Sequence, residues 1–163
     1  MVTEPAVRPD QVLHALGQVM DPEMPAVSIA DLGMVHAVRI EGAAVRVTLL
    51  PTFVGCPALE LIRQRAVHQI QQAAGTPIEV DVEFSTAVPW TSGRIAPECH
   101  GALRTRGIAP PSLTPPARGA EPVPCPWCGS LATRLESWFG PTACRAIYYC
   151  RACRNPFEAI KFA

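Results

Sequence analysis

The chain has 163 residues, of which 48% are hydrophobic and 17% charged, enough for one packed domain of ordinary size with a small appendage. Fourteen basic residues balance fourteen acidic ones, which argues against a nucleic-acid binder driven by phosphate neutralisation. No apolar run approaches the ~20 residues of a membrane helix. Met1 to Asp10 lacks a basic start followed by an apolar stretch, so no secretory signal is expected and the expected compartment is the cytoplasm.

The first helix is expected from Pro9, a favourable first helical residue, through Val12, Leu13, Leu16, Val19 and Met20, with Asp21-Pro22 as its stop. Met34–Ile40, the turn Glu41-Gly42 and Ala43–Leu50 read as a hairpin with Val45, Val47 and Leu49 on one face. A second helix is expected from Pro57 to Gly75, its buried stripe being Leu59, Ile62, Ala66, Ile70 and Ala73. Ile78, Val80, Val82 and Phe84 alternate with Glu79, Asp81 and Glu83, the pattern of a half-buried strand. Pro97 opens a short helix to about Arg106. The order α-β-β-α-β-α predicts an α+β domain, a small and mostly antiparallel sheet with helices on one face. Residues 108–124 contain six prolines and no hydrophobic period, which predicts a semi-rigid linker over 109–124 between a domain at 1–108 and a tail at 125–163.

The tail carries the strongest motif. Cys125-Pro-Trp-Cys128 and Cys150-Arg-Ala-Cys153 are separated by 21 residues. Each pair makes a knuckle with two thiolates aimed at one ion, so Cys125, Cys128, Cys150 and Cys153 predict a closed tetrahedral zinc site, a zinc ribbon. Gly129 follows the first knuckle, where a positive φ is often required. A piece of about forty residues has too small a core to fold alone, so the metal is expected to supply folding energy. Four thiolates leave no open coordination position, which makes the site structural. Seven of the ten aromatics fall in this tail: Trp127, Trp138, Phe139, Tyr148, Tyr149, Phe157 and Phe162. They read either as packing around the knuckles or as a surface for a partner protein. Cys144 is a fifth cysteine close by, an extra ligand or a buried free thiol.

In the first domain, Cys56 lies in Pro51-Thr-Phe-Val-Gly-Cys-Pro-Ala58, between a strand and the helix expected from Pro57. Helix N-terminal amides favour a thiolate, which makes Cys56 a candidate soft metal ligand or nucleophile. The alternative is a small buried residue at a tight turn. Asp21-Pro-Glu23 and Asp31-Leu-Gly33 read locally as a helix stop and a turn. The sequence shows no Gly-rich phosphate loop and no H-E-x-x-H. Its four histidines are scattered, and Cys99-His100 is an ordinary pair on a short helix.

Asp21-Pro-Glu23, Val27-Ser-Ile-Ala-Asp-Leu-Gly-Met-Val35 and Thr52-x-x-x-Cys56-Pro57 together resemble the small domain of SufT-type iron–sulfur assembly factors, over roughly residues 8–108. Pro89-Trp-Thr-Ser-Gly-Arg-Ile-Ala-Pro97, Gly107-Ile-Ala-Pro-Pro111, Cys125-Pro-x-Cys-Gly-Ser130 and Phe139-Gly-Pro-Thr-Ala-Cys144 extend the resemblance. They are similar to the D-subunit family of bacterial phenylacetyl-CoA epoxidase, with Pro141 where that family has Ser. The resemblance implies a cytoplasmic accessory or maturation protein of phenylacetate catabolism rather than an enzyme. It implies no catalytic residues; Cys56 would be the transient holder of iron or an iron–sulfur cluster, and Asp21, Glu23 and Asp31 would be a supporting acidic motif. It implies the oxygenase or reductase components as partners, with no nucleic acid and no membrane, and it gives weight to Cys144. The alternatives are a permanent structural component of the oxygenase and a thiol-dependent enzyme. The sequence supplies neither a visible base nor an oxyanion hole for the enzyme reading.

Overall fold

The computed structural model describes residues 7–111 and 122–161. Most of the linker expected at 109–124, residues 112–121, lies outside the described residues, as does Phe162. The chain divides at Trp90 and Thr91 into two compact units. Residues 91–108, expected with the first domain, group with the second unit.

In the first unit, α1 spans Pro9–Gly17. Its entry is fixed by the Arg8 backbone N–H, which donates to Gln11 Oε1 at 2.9 Å. The helix ends at Gly17, four residues before the expected stop, because the N–H groups of Gln18 and Val19 bond back three residues to Ala15 and Leu16. Strands β1, Val35–Glu41, and β2, Ala44–Leu49, form the expected antiparallel hairpin, closed by Gly42 at φ +64°. Helix α2, Leu59–Ala74, ends at Gly75 in the left-handed conformation and buries Ile62, Ala66 and Ile70.

Strand β3, Glu79–Phe84, completes a three-stranded sheet of order β1-β2-β3. It runs parallel to β2, pairing Val45 with Val80, Val47 with Val82 and Leu49 with Phe84. The sheet is therefore half antiparallel and half parallel, since a strand entered after a crossover helix can return in the direction of the strand before it. Val45, Val47, Leu49 and Val82 are buried, whereas Arg46, Glu79, Asp81 and Glu83 are exposed. Leu16, Ile29, Leu32, Met34, Ile62 and Ile70 fill the rest of the core.

In the second unit, two 3₁₀ turns, Ser92–Arg94 and Pro97–Cys99, lead into α3, His100–Thr105. A two-residue strand β4, Ile108–Ala109, follows, then β5, Thr133–Ser137, β6, Arg145–Cys150, and β7, Pro156–Ile160. The sheet order is β4-β7-β6-β5, with β4 parallel to β7 and the other pairs antiparallel. Its core gathers Ala109, Cys125, Ala146, Tyr148, Cys150, Phe157 and Ala159, with the Tyr148 and Phe157 rings stacked at 5.7 Å. Among the described residues, no helix is long and apolar enough to cross a membrane.

Candidate functional site

Both knuckles of the tail are built by the same local rule. The Cys125 N–H bonds to the Ser130 carbonyl at 3.0 Å, and the Cys150 N–H to the Asn155 carbonyl at 3.0 Å. Each bond reaches five residues along the chain. The residue after each second cysteine then takes a positive φ, +73° at Gly129 and +60° at Arg154. Glycine meets this demand without strain; at Arg154 an L side chain is held in a region costing roughly 1–2 kcal/mol.

The knuckles bring their sulfurs into one cluster. Cys125 Sγ lies 3.7 Å from Cys153 Sγ, Cys128 Sγ lies 3.6 Å from Cys150 Sγ, and all four atoms are within 4.8 Å of one another. Four ligands at ~2.3 Å around a tetrahedral ion stand ~3.8 Å apart along each edge. The donor set therefore fits a thiolate-bound tetrahedral ion. Burial pushes the Cys125 thiol up to about 12. Burial also raises Cys153, but hydrogen bonds from Asn155 and the neighbouring thiols outweigh it and hold that thiol at about 7. An arriving cation thus meets one readily ionised sulfur at Cys153 and displaces the proton of the buried Cys125.

Cys144 stands apart from this cluster. Its sulfur is 3.2 Å from Thr142 Oγ1, its carbonyl accepts from the Lys161 N–H at 3.0 Å, and it is not among the four clustered thiols. Of the tail aromatics, Tyr148 and Phe157 are buried in the ribbon core, while Trp127, Trp138 and Phe139 are exposed. Lys161 Nζ sits 5.2 Å from the Trp138 ring centre and 5.5 Å from that of Phe139.

In the first unit, Cys56 is half-buried in the turn between β2 and α2. Its N–H bonds to the Phe53 carbonyl at 3.1 Å and its carbonyl accepts from Leu59 at 3.4 Å. These bonds form a turn over Pro57, so α2 begins two residues later than expected and Ala58 is the N-cap. Phe53 and Val54, which precede it in the loop, are 47% and 71% exposed and present an apolar rim.

The acidic motif holds loops. Asp21 is buried, and its Oδ1 accepts from the backbone N–H groups of Glu23 at 2.7 Å and Met24 at 2.9 Å. Asp31 Oδ2 accepts from the Ser28 N–H at 2.9 Å and the Ser28 hydroxyl at 2.8 Å. These are turn-closing contacts, while Glu23 is exposed. Within the first unit, the described residues do not gather Cys56 with two further His, Cys, Asp or Glu ligands. Sequence reasoning missed the role of Trp90. It is buried, and its Nε1 donates to the Leu32 carbonyl at 2.7 Å, stapling the Asp31-Leu-Gly33 loop. An isolated Trp after Pro89 gives no periodic signal for such a contact.

Comparison with known proteins agrees with this division. The family described as iron-sulfur cluster assembly protein matches residues 9–83, and the PaaD zinc beta ribbon domain matches residues 109–161. An Escherichia coli K12 protein, named as the D subunit of 1,2-phenylacetyl-CoA epoxidase, is 38% identical over 152 residues, covering 93% of this chain and 91% of that relative. The chain belongs to the phenylacetyl-CoA epoxidase D-subunit family. Its assembly-type fold is shared with the crystal structure of a domain of unknown function, DUF59, from Bacillus anthracis. That likeness has 26% identity and a TM-score of 0.53, and covers 58% of this chain and 89% of that one. A conserved hypothetical protein from Thermotoga maritima is 30% identical, with a TM-score of 0.48, over 61% of this chain and 93% of its own. The four clustered thiols are thus the metal site of a zinc-ribbon domain, carried in the tail of this D-subunit family member.

Proposed function

We propose that this member of the D-subunit family is an accessory, non-catalytic component of the phenylacetyl-CoA epoxidase system that assists iron or iron–sulfur cluster assembly in its oxygenase or reductase. The observation that carries the reading is the pairing, in one chain, of an iron–sulfur-assembly domain with a closed four-thiolate ribbon. Cys56 is the transient holder of the cargo, on a half-buried turn with an exposed apolar rim. Asp21 and Asp31 act by fixing the loops around their own turns, and Glu23 adds an exposed charge beside Asp21. The ribbon carries structural zinc on Cys125, Cys128, Cys150 and Cys153, because four thiolates leave no position for a substrate. Cys144 serves the ribbon's hairpin loop through Thr142 rather than the ion.

The test is production of the oxygenase and reductase with wild-type protein, with Cys56→Ala and with none, followed by iron, sulfide and activity assays on each. Cys56→Ala should cost roughly 1 kcal/mol of stability or less, since only a small, half-buried group is removed, yet leave a client short of metal. Wild-type metal content and activity with Cys56→Ala would show that this thiol is not the working residue. A permanent structural role in the oxygenase is a second reading, favoured by the exposed Trp138 and Phe139 on the ribbon. Co-purification at fixed stoichiometry distinguishes the two.

A further inference from the structure

Trp127 stands inside the first knuckle, between two of the metal-binding cysteines, yet its ring reaches outside it. A Cβ added at Gly107 would fall 2.8 Å from Trp127 Cη2 and closer still to Cζ2, so the indole lies directly on the Gly107 backbone. Gly107 also has φ +72°, which an L side chain rarely adopts. Trp127 Nε1 points to the Pro156 carbonyl, at 3.4 Å, at the start of β7. Gly107 itself is tied to the same strand, its carbonyl accepting from the Glu158 N–H at 3.1 Å. Ile108 and Ala109 then pair with Glu158 and Ala159. Ala109 shares one small core with Cys125 and Cys150.

Gly107–Ala109 therefore forms a strap held by β7 on one side and by a knuckle side chain on the other. Its own means of attachment are slight. A two-residue strand offers few ladder bonds, and short strands are marginal without packing. The packing comes from Trp127, Cys125 and Cys150, whose positions depend on the ion, because so small a core holds the two knuckles together only when a cation joins their sulfurs.

We infer that the metal site controls this strap: metal loading seats Trp127 on Gly107 and locks Gly107–Ala109 onto β7, and metal loss releases it. The strap lies in the sequence just before the proline-rich stretch, more than fifteen residues ahead of the first ligand, Cys125. The chain thus carries a metal-dependent clasp well outside its ligand set. On the maturation reading above, this makes an assembly protein responsive to metal supply. The coupling itself needs no client, and its test uses none.

Coupling of this kind is reciprocal: if the ion stabilises the strap, strap contacts must stabilise the ion by the same factor. The experiment uses the zinc-loaded full chain, with hydrogen exchange read by mass spectrometry and zinc retention read by chelator competition. Chelation should raise exchange at residues 107–109 and 158–159. Trp127→Ala should keep one zinc per chain and the β5–β6 protection, yet raise exchange at 107–109 by about tenfold or more. Gly107→Ala, which drives a Cβ into the indole, should weaken zinc binding against the competing chelator by a factor in the same range, roughly 5 to 150. Strap protection that survives chelation, or that survives Trp127→Ala, overturns the proposal. Unchanged zinc retention in Gly107→Ala overturns it too, because the linkage would then be absent in the reverse direction.

Discussion

Replacing Trp90 by Phe isolates one contact of the first unit. The phenyl ring keeps most of the buried surface but has no N–H. The Leu32 carbonyl then loses the donor now 2.7 Å away, in a loop whose Leu32 is fully buried. A buried acceptor left without its partner costs about 1–3 kcal/mol. The smaller ring gives up about 40 Å² of apolar contact, worth roughly 1 kcal/mol. The sum is about 3 kcal/mol. For a unit of this size each kcal/mol moves the midpoint by roughly 4–8 °C, so the first unit should melt more than ~10 °C earlier. The assay is thermal and urea unfolding of the zinc-loaded chain, with hydrogen exchange at Gly33 and Met34. Their N–H groups bond to the Ala30 and Ile29 carbonyls at 2.9 and 3.0 Å and should become the first to open. A loss below ~0.5 kcal/mol, within the range of ordinary surface substitutions, would refute the stapling role. So would a loss with Gly33 and Met34 still protected.

Other consequences can be measured alongside. Cys153→Ser should release the zinc and leave the ribbon open to protease while the first unit keeps its melt; a ribbon that stays resistant after complete metal removal would count against metal-dependent folding. Zinc binding at pH 7 should release at least two protons, because Cys125 at about 12 is fully protonated there and Cys128 is also raised. Lowering the pH therefore weakens binding and raising it strengthens binding; calorimetry in buffers of different ionisation enthalpy reads the count, and a release clearly below two protons would contradict it. A fragment of residues 1–90 should melt cooperatively by itself, and extending it to 108 should not raise its midpoint, since residues 91–108 group with the ribbon. A higher midpoint for the longer fragment would place those residues with the first unit.

Much of this architecture was legible because the informative residues repeat at the period of their element. Ile62, Ala66 and Ile70 fell where a helical stripe requires, and Val45, Val47 and Leu49 where a strand face requires. The clustering of the four thiols was legible for a different reason: two knuckles carry their geometry in four residues each. Direction was not legible, since Val80, Val82 and Phe84 alternate in the same way whether β3 runs with β2 or against it. The late start of α2 was hidden by Pro57, which suits a first helical turn and a preceding loop equally well. The placement of Ile108 and Ala109 in the ribbon sheet was hidden too. A two-residue pairing leaves no period, and it sits at the edge of a proline-rich segment that composition assigns to a linker. The acidic motif was visible as residues, but its turn-closing role depends on which backbone N–H groups the carboxylates reach.

The parallel pairing of β3 also fixes an order of events. β1 and β2 meet across a two-residue turn and can zip within about 1–10 μs, needing nothing else. β3 reaches its place beside β2 only after the chain has travelled through α2, so its ladder closes a loop of about thirty residues. That entropy is lost before any β3 contact returns it, unless α2 has already collapsed onto the hairpin and shortened the path. During synthesis, the hairpin would leave the ribosome with Val45, Val47 and Leu49 uncovered, and α2 would be the next element able to shield them.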